Sequence, residues 1–187
     1  VSSLGDEVEG SIPRVMRGTP FGEINSILGP AGQRWLPVHG ILPLSDARRA
    51  YEALEDLFES RRATDEALGI EHGYLMSTIS NHGFLLEPCL YWPDSQTAFH
   101  TGVLSRQYLS KLPVHPDSPE ARREVEVLRR AIADRLHDLG ATCFQVGKVY
   151  PYSRNRDPGQ WQLLRAVKDS LDGKSLVNPG ALGLRGE

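Results

Sequence analysis

Residues 73–92 read GYLMSTISNHGFLLEPCLYW. Two runs of β-branched, aromatic and leucine side chains flank Asn81-His82-Gly83. Asn and Gly tolerate positive φ, so this stretch predicts a hairpin: strand, tight turn, strand, closed by the Trp92-Pro93-Asp94-Ser95 segment. Side chains alternate across a strand. Phe84, Leu86, Pro88, Leu90 and Trp92 therefore share one face of the second strand, and Leu85, Glu87, Cys89 and Tyr91 share the other. The first face is almost wholly apolar; the second mixes a carboxylate, a thiol and a phenol.

Upstream, residues 34–42 (RWLPVHGIL) predict a strand interrupted by Pro37. Ser45 then caps a helix running to about Arg62, in which Ala47, Ala50, Tyr51, Leu54, Leu57 and Phe58 recur at helical spacing. Downstream, Ser118-Pro119 opens the strongest helix. Its stripe of Ala121, Val125, Leu128, Ile132, Leu136 and Leu139 stops at Gly140. Residues 141–149 (ATCFQVGKV) read as a fourth strand, and residues 95–116 hold at most a short helix around Phe99, Val103, Leu104 and Tyr108. Asp157-Pro158-Gly159-Gln160 starts a last helix carrying Trp161, Leu164, Val167 and Leu171, and a turn-rich tail follows.

The order β-α-β-β-α-β plus a C-terminal helix and tail predicts an α+β fold. Its form is the ferredoxin-like split βαβ: an antiparallel sheet with helices on one face. Three parts follow: a loop-rich arm over 1–34, the sheet domain over 35–156, and the helix and tail over 157–187. The more apolar face of each strand belongs under the helices. In the first strand Leu36 and Val38 oppose Trp35, Pro37 and His39; in the fourth, Thr142, Phe144 and Val146 oppose Cys143, Gln145 and Gly147. The open face is then expected to carry Trp35, His39, Glu87, Tyr91 and Gln145. Such a mixture suits a lined pocket, and it also suits a solvated sheet with scattered aromatics.

The 187 residues include 21 basic and 24 acidic side chains, a net charge of −3. That balance argues against binding nucleic acid by neutralising phosphates. No apolar run reaches the ~18–20 residues that span a bilayer. The start, VSSLGDEVEG, shows no signal-peptide pattern and no initiator Met, so the expectation is a cytoplasmic piece of a longer chain. Six histidines show no HExxH or HxH spacing, and Cys89 and Cys143 form no CxxC, so no metal site is expected. GxSxG, Walker and GxGxxG patterns do not occur. Cys89 and Cys143 read as small buried side chains, His82 as a turn residue and His137 as an exposed one. His39 is a candidate base. Glu87, alone in an apolar strand, must reach solvent, a cation or a ligand. Lys148, Tyr150, Tyr152 and Arg154 lie in a donor-rich loop that suits an anionic or planar ligand, or a solvated loop.

Three segments together carry a resemblance. Residues 163–184 (LLRAVKDSLDGKSLVNPGALGL), the strand 87–94 (EPCLYWPD) and the Ser45-Asp46-Ala47 helix start resemble the C-terminal part of flavoproteins of the vanillyl-alcohol oxidase and p-cresol methylhydroxylase superfamily, the 4-cresol dehydrogenase-like members in particular. The resemblance spans residues 25–184. It implies a cap domain that covers FAD held mostly by an N-terminal FAD-binding domain of the same protein. It also implies oxidation of a small alcohol, hydroxy acid or alkylphenol by hydride transfer to flavin. Glu87, Tyr91 and Gln145 are then the catalytic candidates, with Trp35, His39, Lys148, Tyr150, Tyr152 and Arg154 on the substrate and Asn178 and Gly180 on the cofactor. Phe144 and Gln145 stand where phenol-oxidising members carry a Tyr-Arg pair, and an amide supplies no positive charge. Gly32-Gln33-Arg34-Trp35 offers neither His nor Tyr, so no covalent flavin through this domain is implied. Homo-oligomer formation stays open. A stand-alone ferredoxin-like module that binds a ligand or partner without catalysis is the other reading.

Overall fold

The computed structural model describes residues 25–145, 147–150, 152–154 and 156–184. Most of the arm expected over 1–34 lies outside them, as does Val146 of the expected fourth strand. Strands β1 (Arg34–Pro37) and β2 (Gly40–Pro43) precede helix α1 (Ala47–Leu68). The hairpin follows as β3 (Glu71–Ile79) and β4 (Gly83–Trp92). Short helices α2 (Ala98–Val103) and α3 (Arg106–Leu109) lead to α4 (Pro119–Asp138) and α5 (Pro158–Leu171). All strand pairs are antiparallel, and the architecture is the α+β, ferredoxin-like one.

β4 is the central strand. β3 pairs along one edge, from Glu71 opposite Tyr91 to Ile79 opposite Gly83. β1 and β2 pair along the other, and their register is continuous: Pro37 faces Cys89 and Gly40 faces Leu86. They are one strand with a gap in its ladder, and Pro88 causes the gap. Val38 N–H donates to the Pro88 carbonyl at 2.9 Å, but Pro88 has no N–H to return. A central proline is tolerated here because its missing donor costs one bond on one side only.

The hairpin turn differs from its expectation in detail: the residue with positive φ is Ser80, at 54°, and neither Asn81 nor Gly83 takes that conformation. α1 runs to Leu68 rather than stopping near Arg62, because no breaker intervenes before Gly69. Gly69 takes φ 65° and closes the helix; its N–H reaches the Glu66 carbonyl at 3.2 Å, and Ile70 N–H reaches that of Asp65 at 2.8 Å. The side chains of Ser45 and Ser118 cap nothing. A 3₁₀ turn over Leu44–Asp46 feeds α1 instead. At α4, the Ser118 N–H donates to the carboxylate of Asp94 at 2.9 Å.

That carboxylate is fully buried and satisfied from several directions. It accepts from the Trp92 indole at 3.2 Å, from Ser95 N–H at 2.7 Å and from Arg122 at 2.8 Å, and it pairs with Arg34 at 3.3 Å. Burial pushes its pKa up, but these donors outweigh burial and hold it below the ordinary carboxylate range. Asp94 thereby ties the end of β4 to the start of α4.

The core lies between the sheet and α1 and α4. Val38, Leu42, Leu86, Leu90 and Trp92 meet Ala50, Leu54, Phe58, Val125, Leu128, Ile132 and Leu136, all buried. The helix-facing set expected for the second hairpin strand is the one found there. The fourth strand is not: of the described residues among 141–149 only Thr142 pairs as a strand residue, with Ile41, through bonds of 2.8 and 2.9 Å. Among the described residues, no helix is long and apolar enough to cross a membrane.

Candidate functional site

The face of the sheet away from the helices is a grid set by register. Trp35 stands opposite Tyr91, and Tyr91 opposite Glu71; this is the first ridge. Next come Pro37, Cys89 and Gly73. The continuous register then sets His39 opposite Glu87, and Glu87 faces Leu75; this is the second ridge. The middle row has the smallest side chains, so it forms the floor of a slot. A cavity of about 280 Å³ occupies it, lined by Ser26, Trp35, Tyr74, Leu75, Glu87, Cys89 and Tyr91. A Cβ at Gly73 would meet only the Tyr91 ring, at 3.9 Å, so that end of the slot is open.

Among the described residues, Glu87 is the one carboxylate lining the slot. Its pKa is raised by burial, and it has no hydrogen bond or ion pair among the described residues. Burial also raises Tyr91. The Cys89 thiol is raised by burial, against a hydrogen bond with Trp35 that lowers it, and it donates to the Glu87 carbonyl at 3.7 Å.

At the next column the sheet edge is closed by side chains. Tyr150 Oη accepts from the His39 N–H at 3.2 Å and lies 2.7 Å from His39 Nδ1. The direction of the contact with Nδ1 follows the tautomer of the ring. Burial holds the His39 pKa down, and Nε2 has no partner among the described residues. Cys143 Sγ donates to the His39 carbonyl at 3.6 Å, and Phe144 stacks on the ring at 4.2 Å.

Phe144 on His39 shows that the face assignment for residues 142–145 is reversed. Phe144, expected under the helices, lies exposed over the open face. Gln145, expected beside Glu87 and Tyr91, lines a different cleft with Leu36, Pro37, Lys148, Tyr150 and the α4 residue Arg129. A one-residue shift in register exchanges the two faces of a strand. The structure therefore brings Trp35, Glu87 and Tyr91 together and leaves Gln145 out.

The remaining candidates disperse. Arg154 pairs with Asp134 of α4 and borders a third cleft with Tyr152, Tyr150 and His39. Arg156 stacks over the Tyr152 ring at 4.2 Å. Asn178 and Gly180 sit in the closing turn of the tail; the Asn178 carbonyl accepts from Ala181 N–H at 3.1 Å. Gly73, Leu75 and Cys89 complete the slot and were missed as site residues. Their signal was the pairing register across three strands, which alternation within one strand does not give.

The slot presents an aromatic ridge beside a shallow floor; the starts of the three long helices do not suit a pyrophosphate. α1 begins on Asp46, α4 carries Glu120 in its first turn, and α5 spends its first N–H groups on the Asp157 carboxylate at 2.9 and 3.2 Å. A carboxylate at a helix N-terminus repels the phosphate that would otherwise bind there. Among the described residues no group of three or more His, Cys, Asp or Glu side chains is placed to hold a metal ion. Comparison with models of known protein families, with curated proteins and with solved structures gives no match.

Proposed function

We propose that this chain is the substrate-side domain of an FAD-dependent oxidoreductase, working beside an FAD-binding domain of the same protein. One observation carries the reading: a sheet backed by helices presents, on its other face, a carboxylate without a partner among the described residues at the rim of an aromatic slot. The sequence resemblance supplies the reaction class, hydride removal from an alcohol, hydroxy acid or alkylphenol. FAD, when bound, supplies the hydride acceptor. In this reading Glu87 takes the hydroxyl proton of the substrate, which its raised pKa favours. The Tyr91 hydroxyl orients the substrate oxygen, and Trp35 and Leu75 exclude water. Asn178 and Gly180 would face the flavin on the strength of the resemblance alone.

The test is made on the full-length encoded protein. It is expected to purify with a flavin spectrum and to bleach anaerobically with a member of one of the three substrate classes. Glu87→Gln is expected to slow that bleaching at least tenfold, about 1.4 kcal/mol in barrier, with flavin content unchanged. A colourless full-length protein, or bleaching as fast in the variant, overturns the proposal and favours a ligand-binding module.

A further inference from the structure

We infer that the slot between Trp35, Tyr91 and Glu87 binds a small organic cation, so that its ligand carries an ammonium nitrogen. This deepens the reading above, which it rests on for its catalytic meaning: of the substrate classes named there it selects an alcohol bearing a positive nitrogen.

The first argument is the lining. Two aromatic rings, Trp35 and Tyr91, share the cavity with one carboxylate, and none of its described lining residues is a cation. Aromatic faces attract an ammonium group through the ring quadrupole, and a carboxylate beside them supplies the opposite charge.

The second argument is the state of Glu87. A half-buried carboxylate is normally matched by a cation or by donors. Glu87 has neither among the described residues, whereas Asp94 on the next loop has five donors. Burial lifts the Glu87 pKa with nothing to offset it. A bound ammonium would supply the missing counter-charge.

The third argument is where the positive side chains went. Arg154 is spent on Asp134. Arg129 is spent on Glu126. Lys148 lines the cleft of Gln145. None reaches the slot, whose neighbouring positions on this face include a second carboxylate, Glu71, opposite Tyr91. His39, opposite Glu87, is held neutral by burial. A carboxylate or phenolate ligand would meet one like charge and no opposite one.

The experiment is an equilibrium titration of the 187-residue chain, followed by calorimetry. The probes are benzyltrimethylammonium and benzoate, similar in size and opposite in charge. Benzyltrimethylammonium is expected to bind saturably and benzoate at least tenfold more weakly. Glu87→Gln, which keeps the shape, and Trp35→Leu, which removes the ring, are each expected to weaken ammonium binding at least tenfold. Circular dichroism confirms that the variants are folded; if Trp35→Leu is not, Glu87→Gln decides alone. Equal binding of the two probes, ammonium binding unchanged in Glu87→Gln, or no saturable ammonium binding at millimolar concentration overturns the inference. Because no flavin enters the titration, its failure is separable: a yellow full-length protein whose slot ignores ammonium keeps the oxidoreductase reading, and ammonium binding in a protein without flavin keeps only the site.

Discussion

At His39 a hydroxyl and a thiol stand where the backbone of a fourth strand would run. Tyr150 Oη serves the His39 N–H and Nδ1 together, and Cys143 serves the carbonyl. Tyr150→Phe deletes one oxygen and leaves a buried amide and a buried ring nitrogen without partners. The expected loss is about 1–3 kcal/mol in a urea titration, with the far-ultraviolet spectrum unchanged; a loss under about 0.5 kcal/mol would show that water takes the hydroxyl's place. Glu87 runs the other way. Its folded pKa lies above the ordinary 4.5 because burial disfavours the charge. The native state therefore binds the proton more tightly than the unfolded one, and stability falls as pH rises through that window. Glu87→Gln is expected to raise the urea midpoint at about pH 7, and the gain is expected to vanish near pH 4, where both states are protonated. A gain that persists undiminished in acid would assign the effect to packing rather than charge.

At the scale of elements, legibility followed contrast between faces. In β4 one parity is Phe, Leu, Pro, Leu and Trp and the other holds Glu and Tyr, so alternation alone set the helix-facing side. The stripe of α4 was equally plain, since Val125, Leu128, Ile132 and Leu136 are all buried. Ile132 is completely covered, and Ile132→Ala is expected to cost about 2–5 kcal/mol by leaving a cavity beneath the sheet, read as a shift in denaturant midpoint. A loss below about 1 kcal/mol would mean that the helix collapses into the space. Residues 141–149 offered little contrast: Thr, Phe and Val on one parity, Cys, Gln and Gly on the other. The apolar set was assigned to the core, yet the pairing of Thr142 with Ile41 sends Phe144 to the open face. Register between strands is a tertiary property, and periodicity within one strand does not contain it. Alternation within β4 was enough to put Glu87, Cys89 and Tyr91 on one face, while Gly73 and Leu75 joined them only through the register of β3.

At the scale of the whole molecule, the charges at helix starts and the apolar surface of α5 point the same way. α5 buries none of its residues fully, and Leu163, Val167 and Leu171 lie exposed, with Leu176 and Val177 of the tail beside them in sequence. Exposed apolar side chains gathered on one element suit an interface with more protein, as the proposed FAD-binding domain would supply. Flavin binding by this chain alone is a different matter. Its slot offers one wall for a ring, and a ring held on one side keeps its other face in water. The diphosphate of FAD needs N–H groups or cations converging on it, and the starts of α1, α4 and α5 hold Asp46, Glu120 and Asp157 instead. Moving two phosphate charges next to those carboxylates costs free energy that one ring face does not offset. The purified 187-residue chain is therefore expected to be colourless and to show no saturable quenching of added FAD fluorescence. Replacing Asp157 by Ser, which still caps α5 without the charge, is not expected to restore binding, because the slot would still cover only one face. A stoichiometric yellow complex of the unmodified chain would overturn this division of labour and place the pyrophosphate site within these residues.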